Sequence, residues 1–154
     1  MNANKSLIRI ALILSIACCS ILPFLWAADG DLNASVPSIV KVGLAVYASG
    51  GPDPALGAWR KGGPSEIDPR AGAQAEDFKQ VEKSFGNYKS YELIETREVC
   101  RTSKTVYLSM NFERGAVYAS FLVFKTSKDW VVQHLEFNTK PDVIMPWLTS
   151  NPNE

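Results

Sequence analysis

The chain has 154 residues, with 16 basic and 16 acidic side chains, so its formal charge is zero. That balance excludes the lopsided basic stripe that nucleic-acid binding needs, and a polyacidic tail as well. Hydrophobic residues make up 46% and charged residues 21%, the composition of a folded globular chain with room for one self-sufficient core.

Residues 1–27 read as a secretory signal. Lys5 and Arg9 form a positive start, no charge follows from Ile10 to Ala27, and Pro23 breaks the apolar run ahead of Leu25-Trp26-Ala27. Cleavage is expected after Ala27, with Ala28 as the alternative. The rival reading is an uncleaved N-terminal membrane anchor, which would be the chain's only contact with a membrane. Both place the remainder across the membrane, in the periplasm or outside the cell. Cys18 and Cys19 raise a lipoprotein box, but Ser15 stands where leucine is usual and an apolar stretch follows the cysteines. Without residues 1–27, 14 basic residues face 16 acidic ones, and Cys100 is the single cysteine. An exported domain with one thiol closes no internal disulfide, so packing must stabilise it. Cys100 ends a strand pattern and reads as a small buried hydrophobe, with intermolecular pairing or a reactive thiol as the alternatives.

Residues 28–35 form a short polar leader, 36–148 the folded domain and 149–154 a tail. Val36, Ile39, Val40, Gly43, Leu44 and Tyr47 recur on one helical face, with Ser35 placed to cap and Pro37 in the first turn. Gly50-Gly51-Pro52 stops that helix. Asp53-Pro54 then reads as an N-cap and first helical position, opening a short helix through Trp59. After a loop, Ala71, Ala75, Phe78, Val81 and Phe85 mark a third helical face that ends at Gly86-Asn87.

The period then changes from 3.6 to 2. Strands are expected at Tyr91 to Cys100, Thr105 to Glu113, Ala116 to Lys125 and Trp130 to Asn138, with Arg114-Gly115 as a tight hairpin turn. Pro141 to Leu148 reads as a hydrophobic turn folding back. The expected class is therefore α+β, with N-terminal helices packed on one face of a four-stranded antiparallel meander. The third strand is apolar on both faces, so its second face needs a cover: the C-terminal segment, or a second subunit in a homodimer joined through the sheet face.

The order of elements resembles the nuclear-transport-factor-like superfamily, the cystatin-like α+β cone, and in particular its small exported members. The stretches that carry the resemblance are AVYASGGPDPALGAWRKGGP, FGNYKSYELI and DWVVQHLEFNTKPDVIMP, and it covers about residues 36–148. It implies helices packed into a curved sheet. The superfamily hosts dehydratases, isomerases, ligand binders and structural modules, so it does not select an activity.

His134 is the only histidine, and alternation places it on one face of the fourth strand with Trp130, Val132, Glu136 and Asn138. If that face lines the cone, Tyr107, Ser109 and Asn111 could add polar partners. The ligand-contact candidates are His134, Trp130, Tyr107 and Asn111, for a small apolar ligand. The alternative is a cofactor-free isomerase or dehydratase with His134, Glu136 and Tyr107 as its working groups. The bland reading is an ordinary cross-strand pair on a solvated sheet face. One histidine and one cysteine far apart do not build a nitrogen- or sulfur-rich metal site, and neither a nucleophile elbow nor a phosphate loop is present. No cofactor and no metal are expected. Arg97, Arg101 and Arg114 read as surface charges. The leading expectation is a non-catalytic ligand-binding or protein-interaction module.

Overall fold

The computed structural model describes residues 35–67 and 69–148. The segment expected to be a signal, most of the expected leader and the tail lie outside the described residues. Three helices come first: α1 (Ser38–Gly50), α2 (Pro52–Arg60) and α3 (Ala71–Phe85), with a 3-10 turn at Pro64–Ile67 between the last two. Four strands follow, β1 (Tyr88–Cys100), β2 (Ser103–Phe112), β3 (Ala116–Lys125) and β4 (Trp130–Asn138). They form an antiparallel sheet in the order β1-β2-β3-β4, so β1 and β4 are its open edges. The chain closes with α4 (Pro141–Ile144) and a 3-10 turn at Pro146–Leu148. Among the described residues no helix is long and apolar enough to cross a membrane.

The helices begin differently from the expected caps. Pro37 occupies the N-cap of α1 without a side-chain bond, while Ser35 lies ahead of it, its hydroxyl 3.3 Å from that of Thr96 and its carbonyl accepting from Lys104 Nζ at 2.8 Å. Gly51 (φ 77°) is the N-cap of α2 and Pro52 its first residue. Asp53 therefore falls inside the first turn, where a negative charge suits the helix dipole, and it reaches Lys79 Nζ at 3.0 Å on α3.

Between helices and sheet lies one core. Val40, Leu44 and Tyr47 of α1, Leu56 and Trp59 of α2 and Phe78 of α3 pack against alternate residues of β2 and β3, from Val106 to Phe112 and Val117 to Val123. Its centre is aromatic: ring centroids lie 5.1 Å apart for Trp59–Phe121, 5.6 Å for Tyr47–Phe78 and 6.3 Å for Tyr47–Trp59. The Trp59 indole N–H donates to the Val40 carbonyl at 3.0 Å. Gly43 makes this possible, because a Cβ there would collide with the indole ring.

One buried polar atom is unmatched. The Tyr47 hydroxyl has no partner of hydrogen-bond geometry among the described residues, although the Glu82 carboxylate is close enough to act on it; burial first and that carboxylate second push its pKa above the ordinary tyrosine range. Tyr47→Phe should therefore raise stability by about 1 kcal/mol, measured as an upward shift in the urea midpoint; a fall would show that the hydroxyl is satisfied. The sign of the linkage is alkaline: stability is fully present below the unfolded-state pKa near 10 and is lost as pH rises beyond it. Tyr88, pushed up to about 12 chiefly by burial, acts in the same direction.

The second sheet face is covered by the C-terminal segment across at least part of its width. Ile144 and Met145 are buried outside the main core, and the Trp147 ring stands edge-on to Tyr107 at 4.7 Å with the Arg97 guanidinium 3.5 Å above it. Residues 141–148 thus form a strap that runs from the end of β4 back to β2 and β1.

Cys100 departs from its expected setting. It is exposed, because the far end of the β1-β2 hairpin projects past the helices. Hydrogen bonds from the Thr102 hydroxyl and from backbone N–H groups of Thr102 and Ser103 hold its thiol below the usual range. Iodoacetamide should alkylate Cys100 in the native protein with a pH midpoint below that of free cysteine, as read by peptide mass mapping. Labelling limited by the rate of unfolding would contradict this placement.

Candidate functional site

The sheet register sorts the candidate residues. Across β3 and β4, Phe121 pairs with Leu135 and Leu122 with His134, but Val123 pairs with Val132, leaving Gln133 as a one-residue bulge. A bulge reverses the alternation of everything beyond it. Trp130 and Val132 therefore face the helices, as do Leu135 and Phe137, while His134, Glu136 and Asn138 face the opposite side. The five residues expected on one face are split between two.

On that outer face the register makes two rows, Arg97, Thr105, Leu122 and His134 beside Glu95, Tyr107, Ser120 and Glu136. Tyr107 and Glu136 are two strand spacings apart, about 10 Å. Tyr107 packs against Trp147, and His134 and Glu136 are exposed. Asn111 is engaged elsewhere on this face, accepting from Ser109 Oγ at 2.9 Å and donating to Glu92 Oε1 at 2.9 Å. The face does not bring the candidates together into one enclosed site.

The space between helices and sheet is filled as well. Among the described residues no side chain with an acid, base or amide is fully buried there; Tyr47 is the one fully buried residue with a hydroxyl, and Tyr88 and Tyr91 pack partly buried at the margin. The carboxylate nearest in effect to the Tyr47 hydroxyl is Glu82 of α3, which is only partly buried. Among the described residues no cluster of three histidine, cysteine or carboxylate side chains is placed to hold a metal ion.

Concave space lies instead along the β4 edge. A cavity of about 540 Å³ opens between β4 and the connection from α2 to α3, lined by Arg60, Pro64, Arg70, Gln74, Val132 and His134 among others. A second, of about 510 Å³, continues between α3 and the last half of β4, with Asp77, Gln80, Glu136 and Phe137. Gln74, Asp77, His134 and Leu135 line both, so the two are halves of one groove. Its floor is set by Phe78 stacked on Phe137 at 3.8 Å, which holds α3 against β4.

Gln74 bridges the groove. Its Nε2 donates to the Leu135 carbonyl at 2.9 Å, and its Oε1 accepts from Arg60 Nη2 at 2.6 Å. Further along, Ser65 Oγ donates to the Val132 carbonyl at 3.3 Å, where a Cβ on Gly63 would clash with the same oxygen. Both carbonyls point away from β3, as alternate groups of an edge strand do. Ser65 and Gln74 thus blunt the edge at two places, which limits uncontrolled strand pairing. Of the residues singled out by sequence, the groove includes His134 and Glu136; Trp130, Tyr107 and Asn111 lie elsewhere. Sequence reading passed over Gln74 and Asp77, since a glutamine and an aspartate on the polar side of an amphipathic helix carry no signal of their own.

Comparisons with known protein families, curated proteins and solved structures find no match to this chain.

Proposed function

We propose that this chain is an exported, non-catalytic module that binds a small ligand in the groove between α3 and β4. The observation that carries the reading is the contrast between the two concave regions: the helix-sheet interior is closed by Tyr47, Trp59, Phe78 and Phe121, whereas the groove is open, mixed in polarity and bordered by backbone groups of an edge strand. Export rests on the charge pattern of residues 1–27. The order of three helices and a four-stranded meander supports a cystatin-like cone of the nuclear-transport-factor-like kind, with its mouth occupied by aromatic side chains and its ligand displaced to the side.

The test is chemical-shift mapping of the protein against a library of small soluble fragments. Shifts should gather at Gln74, Asp77, His134 and Leu135. Fragments that perturb only Tyr107, Asn111 and Trp147, or that perturb nothing, would overturn the reading.

A further inference from the structure

We infer that two copies of this chain join edge to edge, β1 against β1 of the second copy, antiparallel about a two-fold axis beside Thr96. The two edges of the sheet differ. On β4 the Leu135 and Val132 carbonyls accept bonds from Gln74 and Ser65, so that edge is taken. β1 stands at the other end of the sheet and pairs there with β2 alone. Over residues 95–98 its register with β2 is unbroken, from Glu95 against Tyr107 to Glu98 against Lys104, and Ile94 and Val99 interrupt it on either side. Bulges at an edge discourage indiscriminate pairing, and they pin the register of whatever pairs with the run between them.

The side chains of that run select the occupant. In a two-fold antiparallel junction, if residue i lies opposite j then j lies opposite i, and opposed residues share a sheet face. Glu95 and Arg97 share the outer face, since they pair with Tyr107 and Thr105. An axis beside Thr96 sets Glu95 of each copy opposite Arg97 of the other. An axis beside Glu95, Arg97 or Glu98 would set like charges directly opposite each other, which is destabilising. Within one copy Arg97 Nε already donates to Glu95 Oε1 at 2.8 Å, and the junction closes two such pairs into a ring of four alternating charges. The edge is thus complementary to itself, which argues for a second copy and against a partner of one charge sign. The same register brings Ile94 of each copy next to Val99 of the other. Both are exposed on the single chain, at 41% and 66%, and contact across the junction takes them out of water.

Sedimentation velocity over a concentration series up to about 500 µM reads the association, since a short edge-to-edge junction is a small interface. The unmodified protein should form a dimer. Glu95→Arg then faces Arg97 of the second copy and Arg97→Glu faces Glu95, so each variant alone should dimerise at least about ten-fold more weakly. Mixed together, the two variants restore opposite charges at every opposed position and should form a mixed dimer. Arg97 also lies over the Trp147 ring, but Arg97→Glu disturbs that contact equally alone and in the mixture, so rescue by mixing isolates the junction. Thr96→Cys in a Cys100→Ser background checks the register: cysteines opposed at the axis lie within disulfide reach and should cross-link under mild oxidation. A monomer throughout the series, or a mixture that associates no better than either variant alone, would overturn the assignment. Undiminished dimers of both single variants would overturn it as well and move the contact to the outer sheet face.

Discussion

Alanine in place of Gly43 is expected to destabilise the protein by about 3 kcal/mol or more, although it adds a single methyl group. The added Cβ would overlap the Trp59 indole, which is fully buried and fixed by its bond to Val40. Overpacking a dense core costs about 1–3 kcal/mol and sometimes more. Moving the indole would also break its hydrogen bond, a further cost of about 1 kcal/mol. Against a total stability of about 5–15 kcal/mol this is a large fraction. Urea unfolding followed by tryptophan fluorescence measures it. A change below about 0.5 kcal/mol would mean that α1 and α2 can separate freely and that the interior is not closed.

The paired substitution Ile144→Ala with Met145→Ala is expected to cost about 4 kcal/mol or more, since each buried side chain lost to alanine costs about 2–5 kcal/mol. Both are buried away from the main core, so the loss is a test of the strap alone. Releasing the strap uncovers the part of the outer face around Tyr107 and the β3 and β4 residues that α4 meets. Increased dye binding and self-association by sedimentation should accompany the loss of stability. Unchanged stability would place the cover of that face elsewhere, in a second subunit for example.

Elements with a strong period are legible in the sequence. The ends of α3, β3 and β4 coincide with the expected ones, because glycine stops and turn residues bracket uninterrupted patterns. β1 begins three residues earlier than expected, at Tyr88, where polar Lys89 and Ser90 hide the alternation although Tyr88 pairs with Phe112. The bulge at Gln133 was not legible: an extra residue in a strand has no compositional marker, yet it decides which way His134 points. The strap was legible in content and not in destination, since the apolar run Val143-Ile144-Met145 does not say which face it will meet. His134 stood out only by being unique. The residues that join it in the groove come from α3, and nothing local in the sequence links Gln74 to Leu135 sixty-one positions away.

The claim on which the account turns is that the space between helices and sheet is closed and that usable concave space lies outside it. Diffraction from xenon-pressurised crystals tests this directly, because xenon enters apolar cavities that water leaves empty. The account predicts no ordered xenon among Tyr47, Trp59, Phe78 and Phe121. A well-occupied xenon site inside that aromatic cluster would contradict it and return the ligand to the interior.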